Sequence, residues 1–259
     1  MNGKIMHDIF SPQGRSSLKL ISKMKTIYCF DFDGTLASIV SSPADVKLKE
    51  STKKLLKEIK SHFPIAIISG RSIFDLKKLL DFEPDFLIGN HGLEGIKTEQ
   101  NFLDEYKITA KKWVQKLSNL FDIEPLDFEI EIEDKEFSIS LHYKNVKKNG
   151  DKNDDVIEIT KHIISKLEPL PKVIQGKFVL NLMPNSFVNK GTALIDIMNI
   201  HGFSHAFYIG DDITDEDVFK INNDNILTIH VGNNSESKAK FYLEEQSQID
   251  QLLTEIKEN

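Results

Sequence analysis

Two carboxylates stand two residues apart in Asp31-Phe32-Asp33-Gly34-Thr35-Leu36, directly after the apolar run Ile27 to Phe30. Carboxylates crowded at one strand end repel each other and lose solvation. A divalent cation is the natural compensation, and hard oxygen ligands select magnesium. Asp31 can attack phosphorus as a covalent nucleophile, after which Asp33 can protonate the leaving oxygen and later activate water. An isolated Asp-x-Asp serves equally well as a solvated acidic turn, so this motif alone leaves both readings open. A second cluster decides between them. Gly210-Asp211-Asp212-Ile213-Thr214-Asp215 closes another apolar run, Ala206 to Ile209, about 180 residues further on. Asp211 and Asp212 can complete a magnesium site begun by Asp31 and Asp33, with Asp215 bracing the loop. Asp215-Glu216 also suits a helix N-terminus, but that does not account for Asp211-Asp212.

Two further pieces fit phosphoryl chemistry. Ser69-Gly70-Arg71 follows the apolar run Pro64 to Ile68, and a hydroxyl with adjacent backbone N–H groups entering a helix forms a phosphate cradle. A simple N-cap serine is compatible with the same role. Lys190-Gly191 opens a helical stretch, where an ammonium can neutralise both a carboxylate nucleophile and the transferring phosphoryl oxygens. A lone lysine would read as solvated surface; its company gives it this role.

The elements that must position these groups are legible from pattern. Ile27 to Phe32, Pro64 to Ile68, Phe86 to Ile88, Ala206 to Ile209 and Ile226 to Val231 read as buried parallel strands, each closed by a polar or glycine-rich turn. Helical spacing between them, at Leu48 to Lys60, Ser72 to Leu80 and Lys190 to Met198, indicates an open parallel α/β sheet. Such sheets bind ligands at the carboxyl ends of their strands, where the polar turns fall. The texture differs from residue 106 to 184: helices at Trp113 to Phe121 and Asp155 to Leu167, and period-two hairpins at Phe128 to Tyr143 and Lys172 to Met183. An α+β module of 106–184 is therefore expected as an insert in a catalytic core of 26–105 and 185–259. Residues 1–25 are expected to form a loosely ordered arm or a short docking helix.

The chain has 259 residues, 28% charged and 40% hydrophobic, with a formal net charge of -7. That balance argues against a nucleic-acid partner, so an anionic substrate must be caught by a few placed cations or a metal. The single cysteine, Cys29, cannot form an internal disulfide and reads as a buried core residue. No apolar run reaches the ~20 residues of a membrane span, and the first residues lack a signal-peptide core. A cytoplasmic location without membrane attachment is the default expectation.

Asp31-x-Asp33-Gly34-Thr35, Ser69, Lys190 and Gly210-Asp211-Asp212-x-x-Asp215, in that order, resemble the haloacid dehalogenase-like phosphohydrolase superfamily. The resemblance covers the chain after about residue 25. It implies a Rossmannoid parallel-sheet core, an α+β cap inserted between the serine and lysine elements, a magnesium ion and an aspartyl-phosphate intermediate.

Longer strings resemble one branch, the trehalose-6-phosphate phosphatases. These are Phe30 to Leu36 with Ile39-Val40 and Pro43, Ile67-Ile68-Ser69-Gly70-Arg71, Gly89-Asn90-His91-Gly92-Leu93-Glu94, Glu133-Asp134-Lys135 leading to Leu141-His142-Tyr143-Lys144, and Gly210 to Phe219. By that likeness the substrate is a small sugar phosphate, with Gly70, Arg71 and His91 on the core side. Glu133 and Lys135, with His142 nearby, would hold sugar hydroxyls from the cap. Closely spaced charges on a rigid turn can grip a polyol when a cap excludes water, although the same turn serves as a solvated hairpin end. A trehalose-phosphate synthase is the implied functional partner.

Two positions depart from the branch. Asn181 stands where a glutamate is typical, which removes a charge-assisted bond to a hydroxyl. Lys144 stands where arginine is usual, and the two are not equivalent. Both touch the cap side, so a phosphatase for another glycosyl phosphate, such as sucrose phosphate or mannosylglycerate phosphate, stays open. So does a non-catalytic, sugar-phosphate-binding regulatory domain, against which the intact Asp31, Asp33, Lys190 and Asp211 set argues.

Overall fold

The five residues of Thr26–Phe30 are all buried, as a central parallel strand requires. The structure, a computed structural model, describes residues 6–40, 45–96, 100–123, 130–143, 153–176, 178–185 and 188–259. Pro43, Phe128, Lys144 and the first five residues, all within the stretches named above, lie outside that set.

In chain order the elements are β1 (His7–Asp8), α1 (Pro12–Ile21), β2 (Thr26–Phe30), α2 (Glu50–Lys60), β3 (Ile65–Ile68), α3 (Ile73–Leu79) and β4 (Phe86–Ile88). The chain continues through α4 (Gln100–Ile123), β5 (Ile130–Asp134), β6 (Ile139–Tyr143), α5 (Asn153–Ile164), β7 (Lys172–Gly176) and β8 (Val179–Met183). It ends with α6 (Lys190–His201), β9 (His205–Gly210), α7 (Glu216–Phe219), β10 (Ile226–Val231), β11 (Phe241–Leu243) and α8 (Ile249–Glu258). The chain divides into two compact units, Met1–Ile96 with Val188–Asn259, and Lys97–Phe187.

The first unit holds a seven-stranded sheet in the order β1-β11-β10-β9-β2-β3-β4, with every pairing parallel. From β2 the chain steps to β3 and β4 on one side, then returns to β9 on the other. The carboxyl ends of β2 and β9 are therefore the topological switch point of the sheet, where open α/β folds bind ligands. Phe30 pairs with Ile209 in register. The acidic turns that follow the two strands are thus neighbours in space despite their sequence separation.

Both sheet faces are covered. Phe30, Leu56, Ile59, Ile67, Phe207 and Leu252 lie in one apolar cluster, and Cys29, Ile68, Leu194, Ile197 and Tyr208 in the other. Cys29 is buried, as its apolar surroundings predicted. Of the two expectations for residues 1–25, an arm or a short docking helix, the segment Pro12–Ile21 forms a helix. Ser11 accepts the amide of Gly14 at 3.2 Å and Pro12 begins α1, whose Leu18 and Ile21 enter the core beside Ile9. β1 adds an edge strand beside β11.

The second unit is a four-stranded antiparallel sheet, β5-β6-β8-β7, with helices on one face. Ile139, Leu141, Leu180 and Leu182 pack on Trp113 and Leu117 of α4 and on Ile163 and Ile164 of α5. Trp113 is buried, and its indole N–H donates to Pro169 O at 2.8 Å, which satisfies its one polar atom. α4 starts at Gln100, well before the Trp113 predicted from spacing, so the unit begins earlier than residue 106. Alternate residues place Glu131, Glu133, Ser140, His142 and Asn181 on the other face, beside Ile174, Val179 and Met183.

Candidate active site

Asp31 follows β2 and its amide donates to Ile209 O at 2.9 Å, which extends the pairing one residue past the strand. Its carboxylate is buried, and Oδ1 accepts a bond from Lys190 Nζ at 2.8 Å. The same ammonium donates to Asp215 Oδ1 at 2.8 Å. Lys190 sits at the first position of α6 because Asn189 and Thr192 close a capping box there, with reciprocal bonds of 2.9 Å.

Asp215 has no exposed surface and is bonded on all sides. Besides Lys190, Oδ1 accepts Tyr208 Oη–H at 2.6 Å, and Oδ2 accepts the amides of Asp211 and Asp212 at 3.0 and 2.9 Å. It thereby folds the Gly210–Asp215 loop back on β9. Gly210 is required there, since a Cβ would lie 2.2 Å from Asp215 Cγ. Tyr208 is a participant that the sequence reading missed, because in an apolar strand it reads as core. The one clue is that a buried phenol needs a partner for its hydroxyl.

Carboxylate oxygens of Asp31, Asp211 and Asp215 lie within 4.8 Å of one another. Burial, set against the nearby Lys190 and reinforced by Asp215, pushes the Asp31 carboxyl up to about 7. Burial and then the charge of Asp31 raise Asp211 well above the usual range. Burial opposes the charge on Lys190, but Asp215 and Asp31 outweigh it and hold the ammonium charged. When ionised, the three carboxylates exceed the one ammonium by two negative charges, which suits a divalent cation on an all-oxygen donor set. Asp31 and Asp211 offer the ligand oxygens, whereas Asp215 is committed to four donors. Asp212 stands apart from this group, its Oδ1 accepting the amide of Ile213 at 2.6 Å.

Asp33 begins the turn after the strand. Gly34 adopts φ +80, and a Cβ on it would fall 2.0 Å from Asp211 Oδ2, so only glycine allows the two acidic loops to meet. Thr35 Oγ1 donates to Asp211 Oδ1 at 3.4 Å. Arg71 holds Asp33 with a fork, Nε to Oδ2 at 2.6 Å and Nη2 to Oδ1 at 2.7 Å, and its guanidinium lies over the Phe32 ring. The sequence assigned Arg71 to substrate; the structure pairs it with the acid/base candidate.

Ser69 is buried after β3, and its Oγ accepts the amide of Arg71 at 3.2 Å. The 89–94 loop clamps this cradle. His91 N donates to Ser69 O at 2.9 Å, Asn90 N to Arg71 O at 2.8 Å, and Glu94 Oε2 accepts the amide of Ile73 at 2.7 Å. The His91 ring fills the space a Gly70 side chain would need, with Cε1 2.4 Å from a Cβ built there. His91 therefore touches the cradle from behind, and Glu94 joins it as a residue the sequence quoted but gave no role.

In the second unit, His142 Nε2 lies 2.8 Å from Glu133 Oε2 and Lys135 Nζ 3.7 Å from the same oxygen. Ser140 opposes both Glu133 and Asn181 in register, and its hydroxyl donates to Asn181 Oδ1 at 2.6 Å. Four of the residues expected to meet a sugar thus share one sheet face and its hairpin.

Among the described residues no helix is long and apolar enough to cross a membrane. The trehalose-phosphatase family profile matches residues 29–247. A probable trehalose-phosphate phosphatase D of Arabidopsis thaliana is 29% identical, over 92% of this chain and 69% of that protein. A probable trehalose-phosphate phosphatase 2 of Oryza sativa subsp. japonica is 30% identical, over 74% of this chain and 56% of that protein. Among solved structures, the C-terminal domain of a C. albicans trehalose-6-phosphate phosphatase superposes with a TM-score of 0.76 at 21% identity, covering 100% of this chain and 99% of that one.

Proposed function

The chain belongs to the trehalose-phosphatase family, and we propose that it hydrolyses trehalose 6-phosphate to trehalose and phosphate through a phosphorylated Asp31. The observation that carries the reading is Lys190, buried and bonded to both Asp31 and Asp215 at 2.8 Å beside Asp211. That arrangement aims one carboxylate oxygen and keeps a fixed positive charge next to it.

A divalent ion, magnesium for these oxygen donors, held by Asp31, Asp211 and the Asp33 main-chain carbonyl, would neutralise charge on the phosphoryl group. The protein groups do the rest. Ser69 and Lys190 hold phosphoryl oxygens while an Asp31 oxygen attacks phosphorus in line. The phosphorus–oxygen bond to the sugar breaks, and Asp33 gives its proton to the departing sugar oxygen. Asp33 then takes a proton from water, whose oxygen attacks phosphorus; the phosphorus–oxygen bond to Asp31 breaks, which releases phosphate and restores the carboxylate. Because Arg71 engages both Asp33 oxygens, one of those bonds must open for the proton to pass.

The sheet face that gathers Glu133, Ser140, His142 and Asn181, with Lys135 at the turn, supports a role in holding sugar hydroxyls. Phosphate release from a panel of sugar phosphates with magnesium tests the proposal. Trehalose 6-phosphate is expected to be the preferred substrate, and Asp31→Asn to abolish release. Turnover no better than that of glucose 6-phosphate would overturn the substrate, and unchanged release by Asp31→Asn the nucleophile.

A further inference from the structure

The turn that follows Asp33 is also gripped by a residue more than 200 positions further along the chain, Gln246. Gln246 Nε2 donates to Thr35 O at 3.1 Å and to Leu36 O at 3.3 Å. Its Oε1 accepts the hydroxyl of Ser38 at 2.7 Å. Two carbonyls on one side and a hydroxyl on the other fix which end of the amide is nitrogen. Thr35 and Leu36 are 0% and 1% exposed, so their carbonyls depend on partners inside the protein.

The turn has bonds of its own, Gly34 N to Ala37 O at 2.7 Å and Ala37 N to Phe32 O at 2.8 Å. Its front is set against Asp211 by Thr35 Oγ1 and by the close approach of Gly34. Thr35 is therefore held at both ends: its hydroxyl on Asp211, its carbonyl on Gln246.

The anchor behind Gln246 is firm. The next element, α8, places Ile249, Leu252, Leu253 and Ile256 in the same apolar cluster as Leu36 and Ala37. Asp250 accepts the hydroxyls of Ser51 and Thr52, both at 2.6 Å, which ties α8 to α2. The start of this helical segment is capped without Gln246, because Glu245 and Gln248 close a capping box between themselves. The Gln246 side chain thus serves the Asp33 turn and not its own helix.

We infer that Gln246 is a positioning residue for the phosphatase reaction, fixing the Asp33–Ser38 turn so that Asp33 keeps its place. The inference rests on the phosphatase reading above. Positioning of a proton donor has a particular signature. A sugar alkoxide needs Asp33's proton to leave, whereas p-nitrophenolate does not, and kcat/KM reports the steps up to departure of that group.

Gln246→Ala and Gln246→Glu should be assayed with magnesium on trehalose 6-phosphate and on p-nitrophenyl phosphate, alongside thermal melts and hydrogen exchange of the 32–38 segment. For Gln246→Ala, kcat/KM on the sugar phosphate is expected to fall about 10-fold and on the nitrophenyl ester less than about 3-fold. Gln246→Glu, nearly the same shape, is expected to fall further than Gln246→Ala, because carboxylate oxygens would face two carbonyls. Exchange of Gly34 and Ala37 should quicken in both. Sugar-phosphate rates within about twofold of wild type, losses that track the melting temperature equally on both substrates, or unchanged exchange would each overturn the inference. A wild type silent on every phosphate ester would overturn the phosphatase reading and this one together; an active wild type with unaffected variants overturns this one alone.

Discussion

Arg71 grips both carboxylate oxygens of Asp33, at 2.6 and 2.7 Å, with its side chain largely buried. A planar fork matched to a carboxylate fixes orientation as well as charge, which a lysine ammonium does not. Arg71→Lys is expected to keep the fold but lower kcat about 10-fold or more, because the charge remains and the alignment of Asp33 is lost. Arg71→Ala should be worse in kcat than Arg71→Lys. Steady-state kinetics at saturating substrate check this. A lysine variant with wild-type kcat and a raised KM would mean that Arg71 acts on the substrate alone.

Lys190 carries a second prediction, on stability. Its ammonium lies between two buried carboxylates, so Lys190→Met leaves Asp31 and Asp215 uncompensated. Removing one partner of a buried ion pair typically costs about 3–5 kcal/mol. The deficit should shrink as pH falls, since a protonated Asp31 carboxyl needs no counter-charge. Urea unfolding of the variant at pH 5 and pH 8 measures both. Equal deficits at the two pH values would mean that the lost packing of the lysine stem, and not its charge, sets the cost.

The catalytic strands were legible because a buried parallel strand is a continuous apolar run, and each one here stops at a polar turn. Ile27 to Phe30 and Ala206 to Ile209 announce themselves in that way, and with them the places of Asp31 and Asp211. β1 and β11 were not legible: at two and three residues they carry no period, and they exist because a neighbouring edge was open to pair. α8 went unread although Ile249, Leu252, Leu253 and Ile256 have helical spacing. Pairings such as Arg71 with Asp33, or Gln246 with Thr35, leave no local pattern, since they depend on which loops the sheet order brings together. Asp212 shows the reverse limit. In sequence it is as good a candidate ligand as Asp211, but it is Asp211 whose carboxylate gathers with those of Asp31 and Asp215.

Burial of the Asp31 and Asp211 carboxyls is expected to make the metal-free protein pH-sensitive. Burial raises the Asp31 carboxyl to about 7 and raises Asp211 as well, above the ordinary value near 4 that both have when unfolded. Between those values the folded protein binds more protons than the unfolded chain, so stability falls as pH rises through the window. In EDTA the melting temperature should therefore be lower at pH 8 than at pH 5. Magnesium should raise it most at pH 8, where the carboxylates are charged. Melts with and without the ion decide the matter; a larger magnesium effect at pH 5 would contradict the assignment of these carboxylates as its ligands.

The last prediction concerns the sugar contact proposed for position 181. Ser140 Oγ approaches Asn181 Oδ1 to 2.6 Å, shorter than an N–H···O bond usually allows, so the amide oxygen faces the serine and its N–H donors turn elsewhere. Position 181 thus offers donors, where a carboxylate would offer only acceptors. Trehalose hydroxyls can donate as well as accept, and a bond from a hydroxyl to a carboxylate is charge-assisted. Asn181→Glu is accordingly expected to lower KM for trehalose 6-phosphate about 5-fold with kcat little changed, because the chemistry at Asp31 is untouched. Ser140→Ala, which frees the amide to rotate, should raise KM by about 2- to 3-fold. Both follow from initial rates over a range of substrate concentrations. If Asn181→Glu instead raises KM for trehalose 6-phosphate while another glycosyl phosphate is turned over better by the wild type, the amide donors are selecting an acceptor oxygen on that other sugar, and the substrate assignment moves to it.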